Sequence, residues 1–196
     1  FLILHQQGNL EWQMTSVTFD DNQQSLMVQV TSAAQLHARW TNCVFQNQLT
    51  TNNVAHVVMS STATDNYLII TNCVFTNNTR NAFVLESGVT VNFAMAVNIQ
   101  QSTFTNNGVA ALFNLGDFGL PLALSITGST ISNHNFDTAL QMRTQSQMQW
   151  MIDNCTFSAN TATLSGGAIY FQYDPNGLNS DYMVLDWTNT VFDGNI

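Results

Sequence analysis

The chain has 196 residues, with three arginines, no lysine and twelve acidic residues, and its formal net charge is −9. That balance excludes a nucleic-acid partner, which needs Lys and Arg to displace counterions from phosphates, and it excludes attraction to anionic lipid. Only 8% of residues are charged while 45% are hydrophobic, which excludes disorder, and no apolar run reaches the ~18–20 residues of a spanning helix.

Asn, Thr and Gln number 24, 23 and 16. An uncharged polar surface of this kind suits an extracellular or cell-surface protein. Thr, Val, Ile and Phe favour strands, and Asn serves turns. No amphipathic helical period of Glu, Lys, Leu and Ala is present.

In chain order, Phe1–His5 reads as the last strand of a preceding turn. A repeat then begins on the anchors Phe19, Phe45, Phe75, Phe104, Ile131, Phe157 and Phe192, spaced by 26, 30, 29, 27, 26 and 35 residues. Seven before the anchor stands Trp12, Ala38, Leu68, Val97, Leu124, Trp150 or Leu185. Five before it stands Met14, Trp40, Ile70, Ile99, Ile126, Ile152 or Trp187. This alternation has the period of a strand. Three after the anchor stands Asn22, Asn78, Asn107, Asn160 or Asn195, with Gln48 and His134 breaking the pattern. A further strand follows most anchors, at 57–59, 82–85, 111–113, 139–142 and 168–171.

One copy cannot bury its apolar side alone, so the copies stack. The expected fold is all-β: a right-handed parallel β-helix (β-solenoid) of about seven turns of 26–35 residues. Residues 1–196 read as a single β-helix segment of a longer chain, because neither end carries the polar cap that a solenoid needs. The anchors Phe19, Phe45, Phe75, Phe104, Phe157 and Phe192 should stack in the core. The Asn three residues later should sit in left-handed backbone at a corner, and should bond its counterparts along the stack.

Phe-x-x-Asn at Phe19–Asn22, Phe75–Asn78, Phe104–Asn107, Phe157–Asn160 and Phe192–Asn195, with Gly166-Gly167-Ala168-Ile169, resembles the repeats of the chlamydial polymorphic outer-membrane proteins. The resemblance covers nearly the whole chain. It implies a pectin-lyase-like β-helix that is secreted, displayed on the cell surface and often adhesive.

Cys43, Cys73 and Cys155 stand two before the anchor, where Ser102, Ser129 and Thr190 stand in other copies. They read as a buried column of small residues, not a disulfide framework or a zinc site. Trp12, Trp40, Trp150 and Trp187 read as core. His134, at a corner Asn position, reads as structural. His56 with Arg80 or Arg143 are candidates to line a groove.

The longest interval contains Asp174, Asn176, Asn179 and Asp181, alternating oxygen ligands around a Gly turn. This is a weak Ca²⁺ candidate whose spacing departs from the 12-residue Ca²⁺ loop; an exposed insertion turn is the favoured reading. Gly116–Pro121 is a similar, weaker loop. No other cofactor is expected. Asn77 is the candidate glycosylation site; the second sequon, at Asn154, should be poorly accessible because it precedes a core Cys.

No catalytic residues are assigned. The acidic residues scatter along the chain, and no lysine is present to clamp an acidic sugar polymer. The expected function is a structural or adhesive surface rod that contacts other protein chains, self-associates or joins a larger surface assembly, and meets glycans through flat Asn/Thr/Gln faces. The alternatives are a carbohydrate-binding or polysaccharide-cleaving β-helix, and a Ca²⁺-stiffened filament subunit.

Overall fold

Each strand pairs with the strand three places further along the chain, so three parallel sheets grow together as the polypeptide winds. The computed structural model describes residues 2–5, 8–21, 26–32, 34–49, 53–87, 94–115, 122–135, 138–144, 148–162, 166–173 and 183–196. Sheet 1 stacks Leu2–His5, Leu26–Ser32, Ala55–Ser61, Asn81–Ser87, Val109–Leu115, Leu140–Thr144 and Ile169–Tyr173. Sheet 2 stacks Asn9–Thr15, Gln35–Thr41, Asn66–Thr71, Met95–Gln100, Leu122–Thr127, Met148–Asp153 and Met183–Thr188. Sheet 3 is narrow and stacks Thr18–Asp20, Val44–Gln46, Val74–Thr76, Thr103–Thr105, Thr130–Ser132, Thr156–Ser158 and Val191–Asp193. One strand from each sheet makes a rung, numbered 1 to 7 in chain order. The architecture is the expected parallel β-solenoid. The anchor is the middle residue of its three-residue strand.

Period-2 alternation sends every second side chain inward. Trp40, Phe45, Leu68, Ile70, Phe75, Phe83, Phe104, Trp150 and Phe157 are fully buried. Rung register turns the anchors into a column of rings. Phe19–Phe45, Phe45–Phe75 and Phe75–Phe104 stack at 4.8, 4.6 and 4.7 Å between centroids, with interplanar angles of 8°, 2° and 2°. Phe157 and Phe192 stack at 5.1 Å. In rung 5 Ile131 takes the anchor place.

Left-handed backbone makes the corners sharp. Between sheets 2 and 3 it falls on Ser16, Asn42, Asn72, Gln101, Gly128, Asn154 and Asn189; after sheet 3 it falls on Asp21, Asn47, Asn77, Asn106, Asn133, Ala159 and Gly194. The second set corrects the expectation for the repeat Asn. The residue before it takes the positive φ, and the Asn itself swings inward. Asn78, Asn107 and Asn160 are buried.

Inside, that Asn bonds two rungs at once. The Nδ2 groups of Asn78, Asn107, Asn160 and Asn195 donate to the carbonyls of Phe45, Phe75, Ile131 and Phe157 at 3.0, 2.9, 3.1 and 2.9 Å. Asn78 Nδ2 also lies 2.7 Å from Asn107 Oδ1, and Asn160 Nδ2 lies 2.7 Å from Asn195 Oδ1. Gln48 and His134, which break the motif, serve the same carbonyl position: Gln48 Nε2 donates to Phe19 O at 3.0 Å and His134 Nε2 lies 3.2 Å from Phe104 O. The position therefore selects a side-chain donor of sufficient reach. Asn22 lies outside the described residues.

The Cys column is buried and its thiols are free. Each member donates to the carbonyl two residues earlier, Cys43 to Thr41, Cys73 to Thr71 and Cys155 to Asp153, as Ser102, Ser129 and Thr190 do in other rungs. Burial pushes the Cys73 thiol up to about 11. Trp40 and Trp150 are core, and Trp12 is half-buried. Trp187 is a correction: it is 47% exposed, with Leu185 at 39% and Phe192 at 45%, because no described residue packs on the far side of rung 7.

Candidate functional site

Chemistry-bearing side chains gather on the outer face of sheet 2, across rungs 1 to 3. Register sets Glu11 beside His37 and His37 beside Tyr67. His37 Nδ1 lies 2.7 Å from Glu11 Oε1, and His37 Nε2 lies 3.0 Å from the carbonyl of Asp65 and 3.6 Å from its carboxylate. The imidazole stacks on Tyr67 at 4.5 Å and 9°, and the Arg39 guanidinium stands 5.0 Å from the Tyr67 ring centroid. The hydrogen bond to Glu11 raises the His37 pKa above its ordinary value, opposed by burial and helped by Asp65.

These contacts define what the cluster can do. As imidazolium, His37 donates from both ring nitrogens, to Glu11 and to Asp65. No lone pair is then left for general-base work or for a metal. Glu11 and Asp65 grip one histidine from two sides and are not spread across an open cleft as a hydrolytic acid pair would be. The cluster is a clamp across three rungs, with an aromatic and a cationic edge.

The sequence reading passed over this cluster, although a signal for it was present. Glu11, His37 and Tyr67 all stand eight residues before their anchors. Aligning that column would have placed them on neighbouring rungs. Asp65, in the turn before its strand, has no such signal.

A second pair lies on sheet 1, where His56 Nε2 is 2.9 Å from Glu86 Oε2. His56 and Arg143 are not brought together, since their strands stand three rungs apart, about 14 Å by strand spacing. His134 is structural as expected. It is buried, with Nδ1 3.0 Å from the Asn107 carbonyl, and burial lowers its pKa.

The corner after sheet 3 carries an exposed amide ladder. Asn47 Nδ2 donates to Asp20 Oδ1 at 2.9 Å, Asn77 Nδ2 to Asn47 Oδ1 at 3.5 Å and Asn106 Nδ2 to Asn77 Oδ1 at 3.1 Å. The Asn47 and Gln46 amides hold the Asp20 carboxyl below its usual range. Thr188 and Asn189 do the same for Asp153. Asn77 is exposed, as a glycan acceptor must be. Asn154 is exposed too, which corrects the expectation of poor access: its positive φ turns it outward while Cys155 turns in. Asp174, Asn176, Asn179 and Asp181, like the loop 116–121, lie outside the described residues. Among the described residues no group of three or more His, Cys, Asp or Glu is placed to hold a metal ion.

No family model, curated protein or solved structure matches the chain. The functional reading therefore rests on the molecule's own geometry.

Proposed function

We propose that the chain is a structural, adhesive rod segment of an extracellular or cell-surface protein, similar in repeat and role to the chlamydial polymorphic outer-membrane proteins. The observation that carries this reading is the repetition of one interior across seven rungs. The same inward positions carry rings, side-chain amides and small donors in most rungs, with Ile131 and His134 standing in at rung 5, and they tie neighbouring rungs together. Such a stack is stiff along its axis, and its faces are available for multivalent contact. Other chains, copies of itself and neutral glycans are the proposed partners.

A second reading keeps one observation of its own. Tyr67, Arg39, Glu11 and Asp65 share one outer face, a combination suited to holding a sugar. Affinity electrophoresis through a polysaccharide panel, with a reducing-sugar assay beside it, separates the readings. The rod reading expects no turnover. Turnover that is lost in Glu11→Gln would overturn it. Surface adhesion is tested with beads coated in the protein. They should cluster or bind cells, and dispersal equal to uncoated beads would contradict the proposal.

A further inference from the structure

We propose that the outer face of sheet 3 is an ice-binding surface, a flat array of hydroxyls, methyls and amides that orders water into a lattice. The inference goes beyond the rod reading and stands on the fold alone.

Charge is the first argument. The chain carries −9, yet in rungs 2 to 6 no outward side chain of sheet 3 is charged; Asp20 and Asp193 lie only in rungs 1 and 7. In rungs 4 to 6 the outward positions are Thr103 with Thr105, Thr130 with Ser132, and Thr156 with Ser158, all exposed or half-buried except Ser132, which is buried against Thr105. Ordinary protein surfaces intersperse charges at a far higher density. An ion orients water around itself and breaks a lattice, whereas a neutral hydroxyl offers one donor and two acceptors. Water beside a methyl keeps its hydrogen bonds among its own neighbours.

Periodicity is the second. In-register parallel pairing repeats each hydroxyl about every 4.8 Å across the rungs, and alternate residues of one strand lie about 6.6 Å apart. Flatness is the third. Neighbouring strands usually rotate by about 20–25°, yet the rings of Phe45, Phe75 and Phe104, directly beneath this sheet, are tilted by only 2° from rung to rung. The columns above rungs 2 to 4 therefore run straight, and rungs 5 and 6 continue them in register.

Rigidity completes the case. Thr is stiff at χ1, Ser132 Oγ donates to Thr105 Oγ1 at 3.2 Å, and the Asn106–Asn77 bond braces the border. A surface already ordered loses little entropy when it binds. A neutral polysaccharide is the competing occupant. It is disfavoured because the face presents no aromatic ring for a sugar to stack on: the aromatic residues of sheet 3 are its inward anchors.

The test is uptake of the whole chain into slowly growing ice, together with thermal hysteresis. Wild-type protein should enter the ice, facet the crystals and depress their growth temperature. Thr130→Tyr, at an exposed site in the centre of the face, should lose all three. Ala123→Tyr, equally exposed on sheet 2, should keep them. Unchanged thermal melting certifies the fold of each variant; should Thr130→Tyr fail that check, Thr156→Tyr in the next rung carries the same expectation. Exclusion of wild type from ice at the level of a non-binding control would overturn the proposal. So would uptake of Thr130→Tyr equal to wild type. Adsorption to microcrystalline cellulose without ice uptake would assign the face to polysaccharide and also overturn it.

Discussion

His134 Nε2 lies 3.2 Å from the carbonyl oxygen of Phe104, where the neighbouring rungs place an Asn amide. The imidazole is fully buried and its Nδ1 meets the Asn107 carbonyl at 3.0 Å. A neutral imidazole carries one N–H, so the ring donates to one of these two carbonyls and turns its bare nitrogen to the other. His134 keeps the stack intact and introduces a titratable group into the core.

That group makes stability fall in acid. Burial lowers the His134 pKa below its ordinary value, so the unfolded chain binds the proton more readily than the folded one. Stability is complete above the unfolded pKa near 6.5 and is lost as pH falls through the window below it. His134→Asn should flatten this loss in Tm-against-pH curves, because Asn donates to Phe104 without titrating. His134→Ala should cost roughly 1–3 kcal/mol for the carbonyl that loses its donor, with a cavity penalty added. Equal acid slopes for wild type and His134→Asn would show that the titration lies elsewhere.

His37 acts with the opposite sign. Its pKa is raised, chiefly by the hydrogen bond to Glu11. Its stabilisation is fully present below the unfolded pKa and is lost as pH rises through the folded one. His37→Gln should therefore lower Tm at pH 6 and leave it nearly unchanged at pH 9. Proton NMR of the imidazole gives the folded value directly. A pKa at or below 6.5 would contradict the clamp.

Thiol reactivity reports the Cys column. Burial raises the pKa of Cys73, to about 11, and also that of Cys155. Thiolate is the reactive form, so alkylation at pH 8 should leave both untouched in the native protein. In denaturant all three cysteines should react, as read by intact mass. Fast native labelling of Cys73 would mean that the column is open to solvent.

Gly167 holds the last rung against its neighbour. A Cβ there would collide with the carbonyl oxygen of Asn160 and with the backbone of Ile196. Those atoms are joined by the Ile196 N–H donating to Asn160 O at 2.8 Å, so they cannot move apart cheaply. Gly167→Ala should destabilise the protein by about 1–3 kcal/mol, with protease sensitivity appearing first at the C-terminal segment. A variant as stable as wild type would refute the contact.

The stack was legible because its chemistry repeats. Phe at intervals of 26–35 residues and apolar residues five and seven before each anchor leave little choice of fold. Leu26–Ser32 was passed over, although Leu26, Val28 and Val30 alternate inward as in the other strands of sheet 1. The error about the repeat Asn was one residue long. Sequence shows which residues tolerate left-handed backbone, but not which of two adjacent positions the turn uses, and Ala159 occupies it without any propensity for it. Glu11, His37 and Asp65 meet only through register between strands, and a pattern read along one strand does not contain that. The exposure of Trp187 follows from its rung, not from its own position in the repeat.

The central claim is that this chain forms part of a rod displayed outside the cell. Immunogold electron microscopy of the native source, using antibodies raised against the folded chain, tests it most directly. The account predicts gold on the cell exterior or on released extracellular material, decorating elongated particles. Gold confined to the cell interior, on compact particles, would contradict it.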